Sequence, residues 1–158
     1  MFLWMIVGVM AAIELVLSIS SSGIIGSDNL RWPAFMLVAF WQPVLSGALP
    51  PVYPGQTALM FITYAFLHGG FMHLAMNSVI LLSLGKFVSF HIGAAKTVLV
   101  LFLSAVGGAA CFGMISFSSA PMIGASGAVF GLIGLWQAMD YRMRRRSKLP
   151  VRPVVMAF

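Results

Sequence analysis

Two short patterns in this chain combine residue types able to do acyl-transfer chemistry. The first is Gly124-Ala125-Ser126-Gly127, and the second is His68-x-x-x-x-His73-x-x-x-Asn77. Ser126 is a candidate nucleophile. Flanking glycines leave its hydroxyl open to a substrate, and unpaired N–H groups in the first turn of a helix can face an anion. Histidine and asparagine side chains can both donate hydrogen bonds to an oxyanion that develops as a carbonyl is attacked. His73 and Asn77 are four apart and so share one helix face. His68 falls about 140° off that face if helical, and Gly69-Gly70 suggests that it precedes or starts the regular helix. The Gly-x-Ser-Gly pattern alone is weak, arising by chance in roughly one sequence in seven of this composition. The His/Asn pattern is far rarer, at roughly one in fifteen hundred.

The elements that must carry these residues follow from composition. The 158 residues are 61% hydrophobic and 8% charged, with a mean hydropathy of +1.02. A soluble domain averages about 25% charged residues, and disorder requires few apolar residues. The expected fold class is therefore all-α, a polytopic membrane helix bundle, each span needing about 20 apolar residues. Two long uncharged stretches run from Trp32 to Gly85 and from Thr97 to Met139, and Ser116 to Pro121 collects turn formers. Four full spans are expected at roughly 2–21, 60–84, 95–115 and 121–140, with the start of a fifth at Pro153 to Phe158. Ser126 would then lie about one turn into the fourth.

The whole of 1–158 reads as a single membrane-embedded domain. In it, the 22–58 connection is expected to lie at the membrane interface, because Trp32 to Trp41 is too apolar for a loop and is bracketed by prolines. The rival reading of that segment is a short additional span. Lys86 and Lys96 follow the second span, and Arg142, Arg144, Arg145, Arg146, Lys148 and Arg152 follow Asp140 at the end of the fourth; Asp28 and Arg31 cancel in the 22–58 connection. Positive charge collects on the cytoplasmic side, so the N-terminus is expected there and both patterns at the outer end. Basic connections of this kind set orientation and meet anionic lipid, and no nucleic-acid partner is expected. The first segment lacks a basic lead and carries Glu14 within its apolar run, which favours an uncleaved anchor over a secretory signal. Cys111 has no intrachain partner for a disulfide.

Small residues at four-residue spacing let helices approach closely: Gly127 with Gly131, Gly124 with Ala128, and Gly107 with Cys111. Gly131 and Gly134 read as packing glycines. Glu14 has two readings, a polar clamp between the first span and the core, or a protonated or hydrogen-bonded carboxyl buried at a helix contact. Met72, His73 and Met76 together could suit Cu(I), although methionines in apolar helices more often fill space or face lipid.

His68-Gly-Gly-Phe-Met-His73-Leu-Ala-Met-Asn77 on the second span, followed by Gly124-Ala125-Ser126-Gly127 on the fourth, resembles the rhomboid intramembrane serine proteases. The resemblance covers nearly the whole chain. It implies a rhomboid-like bundle that hydrolyses transmembrane segments of membrane proteins within the lipid bilayer, using a Ser/His dyad with no cofactor and no metal. By position Ser126 would be the nucleophile, His73 and Asn77 with the Ser126 N–H the oxyanion hole, and His68, Gly124 and Gly127 supporting residues. A multi-pass protein of a bacterial inner membrane is the expected setting. In the family the dyad histidine stands on the sixth helix, and this chain has no histidine after His91. A C-terminally truncated peptidase is therefore expected, with a catalytically inactive rhomboid-like protein that binds transmembrane helices as the alternative. Many relatives also carry Trp-Arg shortly before the histidines, where Gln56-Thr57-Ala58-Leu59 stands here.

Overall fold

The computed structural model describes residues 1–23 and 29–151. Its helices are α1 (Phe2–Ser21), α2 (Arg31–Val38), α3 (Gln42–Leu45), α4 (Gln56–Thr63), α5 (Phe71–Ile92), α6 (Ala94–Ile115) and α7 (Ser126–Arg146), with a 3-10 turn at Tyr64–Phe66. Among the described residues the only β-type pairing is an isolated bridge between Phe40 and Met122. The chain is an all-α membrane helix bundle. The expected start of a fifth span, Pro153 to Phe158, lies outside the described residues.

Three helices, α1, α5 and α6, are long and apolar enough to cross a membrane. α7 matches them with 21 residues, but its apolar run ends at Met139 and its last two turns carry Asp140 and four arginines. The four expected spans are thus three of full apolar length and one with a charged end. Trp4, Val79, Phe90, Leu103 and Phe130 are among the large side chains on the outer surface. Such a surface suits lipid and would aggregate in water.

α1 and α6 fall where the sequence places them. The other two spans are corrected by glycine backbone. The expected 60–84 helix is broken at 67–70, where Leu67 is extended and Gly70 has φ of 141°, so α5 starts only at Phe71. The expected 121–140 helix starts at Ser126, because Gly124 sits at φ of 107° and cannot be helical. Ser126 is consequently the first residue of its helix, not one turn in.

α2 has eight residues, about 12 Å of helix, far too short for a hydrocarbon core of about 30 Å. The short additional span is ruled out. The connection is tied down instead by Gln56, which is fully buried. Its Nε2 donates to the Met36 carbonyl at 2.7 Å and its Oε1 accepts from the Val52 N–H at 2.7 Å. Phe40 is also fully buried, with Phe61, Tyr64 and Phe112 edge-on around it at centroid distances of 5.1, 6.4 and 5.9 Å.

Two apolar clusters result. One holds α1, α5, α6 and α7 together through Leu3, Met10, Leu81, Leu101 and Leu132. The other packs the 34–44 segment and the Met60–Leu67 region onto the ends of α1 and α6 through Leu17, Phe40, Met60 and Ala109. α1 runs against α5 with Leu3 beside Gly85, where an added Cβ would come within 2.9 Å of the leucine. At that end Lys86 Nζ lies 5.2 Å from the centre of the Trp4 ring.

α7 packs most extensively on α6. A Cβ on Gly108 would stand 3.3 Å from Gly127 Cα, and one on Gly131 would overlap the Ser104 side chain. The expected Gly107/Cys111 ladder is corrected, since both residues are exposed; Gly108 makes the close approach in its place. Gly134 likewise faces open space. Gly131→Ala is expected to destabilise the bundle by about 1–3 kcal/mol, whereas Gly134→Ala should leave stability unchanged or raise it, because alanine is the better helix former by about 1 kcal/mol. Unfolding midpoints in detergent measure both, and equal effects at the two positions would contradict this packing.

Candidate functional site

The site is assembled where α5 and α7 begin. Gly70 opens α5, which places His73 in its first turn and Asn77 one turn further on the same face. Asn77 is buried and His73 half-buried. Asn77 Nδ2 donates to the His73 carbonyl at 3.0 Å, a bond that fixes the amide's orientation on the helix.

The segment that delivers Ser126 is held from three sides. Met122 pairs with Phe40 in both directions, N to O at 2.9 and 3.1 Å. The Gly124 N–H donates to the Tyr64 carbonyl at 3.0 Å. On the third side Gly124 lies against the α5 face: a Cβ there would stand 2.7 Å from His73 Cε1 and Nε2, and 3.8 Å from Asn77 Nδ2. No side chain fits, and φ of 107° at this residue disfavours one independently. Two residues later Ser126 starts α7, so its N–H is one of the first-turn donors that have no partner within the helix. Among the described residues no side chain hydrogen-bonds the Ser126 hydroxyl.

The structure thus brings His73, Asn77, Gly124 and the start of α7 together. Gly127 meets different neighbours: a Cβ there would come within 2.6 Å of the Tyr64 hydroxyl and 3.6 Å of the Ser104 carbonyl, so it lets α6 approach. The His68 ring is fully buried, with its centroid 5.0 Å from that of His73 and neither nitrogen bonded among the described residues. His91 stands at the far end of α5, where its Nδ1 lies 2.8 Å from the Phe87 carbonyl. Met72 and Met76 are exposed on α5, whereas His73 is half-buried. Among the described residues no three His, Cys, Asp or Glu side chains gather at metal-binding range.

One residue of the site was hidden by charge counting. Arg31, which a net-charge sum of the 22–58 connection sets against Asp28, reaches Glu14 with Nη2–Oε1 at 2.8 Å and Nη1–Oε2 at 3.2 Å; Asp28 lies outside the described residues. Ser18 joins them, its hydroxyl 2.9 Å from Glu14 Oε1 and 3.2 Å from Arg31 Nη2. Arg31 Nη1 also donates to the His68 carbonyl at 2.9 Å. Glu14 therefore acts as a polar clamp, buried and hydrogen-bonded, between α1 and the start of the site. The signal was available: a lone acid within an apolar span needs a partner, and Arg31 is the only basic residue between Glu14 and Lys86.

A sequence model described as the Rhomboid domain matches residues 55–158, which include every element of this site except Phe40 and the Glu14–Arg31 clamp. The chain belongs to the rhomboid family. It is 35% identical over 83 residues to RHOMBOID-like protein 4 of Arabidopsis thaliana, a match covering 52% of this chain and 21% of that relative. This rhomboid chain thus aligns with about a fifth of that relative's length. No solved structure matches it.

In this rhomboid domain the His73/Asn77 face of α5 meets the turn at Gly124, two residues before the first turn of α7. That arrangement can hold an anionic oxygen. Gly124→Ala is expected to cost more than Gly55→Ala, although both residues have positive φ, because a side chain at 55 meets open space while one at 124 meets His73. The backbone term is about 1–2 kcal/mol at each. Equal losses of stability for the two variants would show that Gly124 does not touch His73.

Proposed function

We propose that this rhomboid domain acts as an intramembrane serine endopeptidase on transmembrane segments of membrane proteins, with Ser126 as nucleophile. The observation that carries the reading is Gly124, whose missing side chain sets the Ser126 turn directly on the His73/Asn77 face. Ser126 Oγ attacks the scissile carbonyl, and the carbonyl oxygen gains charge as the tetrahedral intermediate forms. His73, Asn77 and the Ser126 N–H donate to that oxygen. Each such donor contributes about 2.7–4 kcal/mol of transition-state stabilisation when preorganised.

A serine hydroxyl also needs a proton acceptor. The chain's histidines are His68, His73 and His91. His91 is separated from His73 by about 27 Å along α5, and His73 is committed to the oxyanion, so neither of these two is the acceptor. Lys86, Lys96 and the arginines of α7 lie at the end of the bundle opposite the site. With that end cytoplasmic, the N-terminus is cytoplasmic too and the site opens to the outer side.

A second reading is a rhomboid-like protein that binds transmembrane helices without cutting them. It is favoured by the unbonded Ser126 hydroxyl. The test is cleavage of a test transmembrane substrate in membranes carrying the product of the gene. Ser126→Ala is expected to lower cleavage by about 10⁴–10⁶-fold and Asn77→Ala by about 10²–10³-fold. Cleavage unchanged in Ser126→Ala would remove Ser126 as nucleophile. A membrane client that co-purifies but is never cut would establish the second reading.

A further inference from the structure

The peptide unit joining His68 to Gly69 is bonded at both ends. Its carbonyl accepts from Arg31 Nη1 at 2.9 Å, and its N–H donates to His73 Nδ1 at 3.4 Å. Arg31 is in turn gripped by Glu14 through both carboxylate oxygens. A continuous line of polar contacts therefore runs from the middle of α1 to the imidazole of His73, through a region where Glu14 is 0% exposed.

Its chemical consequence concerns the proton on that imidazole. A neutral histidine has one N–H donor and one bare acceptor nitrogen, and the bond made by one nitrogen decides which is which. A backbone N–H can only donate. Nδ1 of His73 is therefore the acceptor, and the ring proton sits on Nε2. That nitrogen faces the site, at 2.7 Å from where a Gly124 Cβ would stand, with Asn77 Nδ2 at 3.8 Å from the same point. A guanidinium bonded to the carbonyl end of the peptide polarises it and strengthens its N–H as a donor, an effect enlarged at low dielectric.

We propose that Arg31, held by Glu14, is a positioning residue that acts through the His68–Gly69 peptide to lock His73 in its Nε2–H tautomer. The lock makes His73 a donor at the oxyanion position and denies its Nδ1 to any other proton. It gives the Glu14–Arg31 pair a role in the reaction without contact with the substrate. The significance for catalysis rests on the oxyanion role given to His73 above; the tautomer does not.

The test is nitrogen NMR of ring-labelled histidines in the full chain in lipid nanodiscs, at a pH where the imidazoles are neutral, with His73 assigned by its loss in His73→Asn. The wild type and Ser126→Ala are both expected to show protonated Nε2 and an Nδ1 displaced by its hydrogen bond. In Arg31→Gln the Nδ1 resonance should move toward that of a free nitrogen and the second tautomer should appear. Arg31→Lys, which keeps a cationic donor, should restore most of the wild-type signal. A wild-type His73 protonated at Nδ1 overturns the proposal whatever the variants do, and so does an unmoved Nδ1 resonance in folded Arg31→Gln. If Arg31→Gln does not fold, Glu14→Gln replaces it and should move Nδ1 in the same direction. Because the tautomer is read without turnover, a chain that cleaves nothing counts against the endopeptidase reading alone.

Discussion

The site end of this bundle depends on one buried ion pair. A carboxylate removed from water is costly even when matched, and costlier by several kcal/mol when its partner is lost. Glu14 is wholly buried on α1, while the Arg31 side chain that meets it is 21% exposed. Arg31 is the first residue of α2, so the pair fixes where the 22–58 connection returns to the bundle. Arg31 also donates to the His68 carbonyl, which brings the entrance of α5 to the same point. Three segments distant in sequence are thereby held by charge in a place where apolar contacts alone would not choose a register.

Around that point the backbone is bound in a way that suits a site needing fixed dipoles. Preorganised donors stabilise developing charge because they do not have to turn toward it during the reaction. Asn77 is tied to the His73 carbonyl, Gly124 to Tyr64, and Met122 to Phe40. Tyr64 in turn donates its hydroxyl to the Ala105 carbonyl of α6 at 2.9 Å. The turn before Ser126 is thus referenced to α5, α6 and the 22–58 connection together. Gly108 and Gly127 allow α6 and α7 to come close enough for this to happen.

Much of this is legible in the sequence, and the failures have physical causes. Hydropathy places α1 and α6 almost to the residue because no glycine at positive φ breaks either run. It misses the true starts of α5 and α7 because a glycine at positive φ is invisible to hydropathy, although the Gly69-Gly70 pair by itself already points to a regular helix that begins after His68, as α5 does. The His73/Asn77 face and the delivery of Ser126 to it follow from four-residue spacing and from spans entering at the same end. Arg31 was lost because net charge was summed over a loop, whereas burial pairs charges by proximity in space. Gly107 and Gly108 are adjacent, and only the orientation of α6, set by tertiary packing, decides that the second faces α7. Gln56, at the start of α4, anchors the 22–58 connection by hydrogen bonds to its backbone.

The most direct test of the account is a double-mutant cycle on Glu14→Met and Arg31→Met, read as unfolding free energy of the full chain in a fixed detergent or bicelle. Each single variant is expected to destabilise strongly. The double variant should lose less than the sum of the two, with a coupling energy of about 1–3 kcal/mol. Strictly additive losses would mean that Glu14 and Arg31 act independently, and the clamp on which the site is built would not exist.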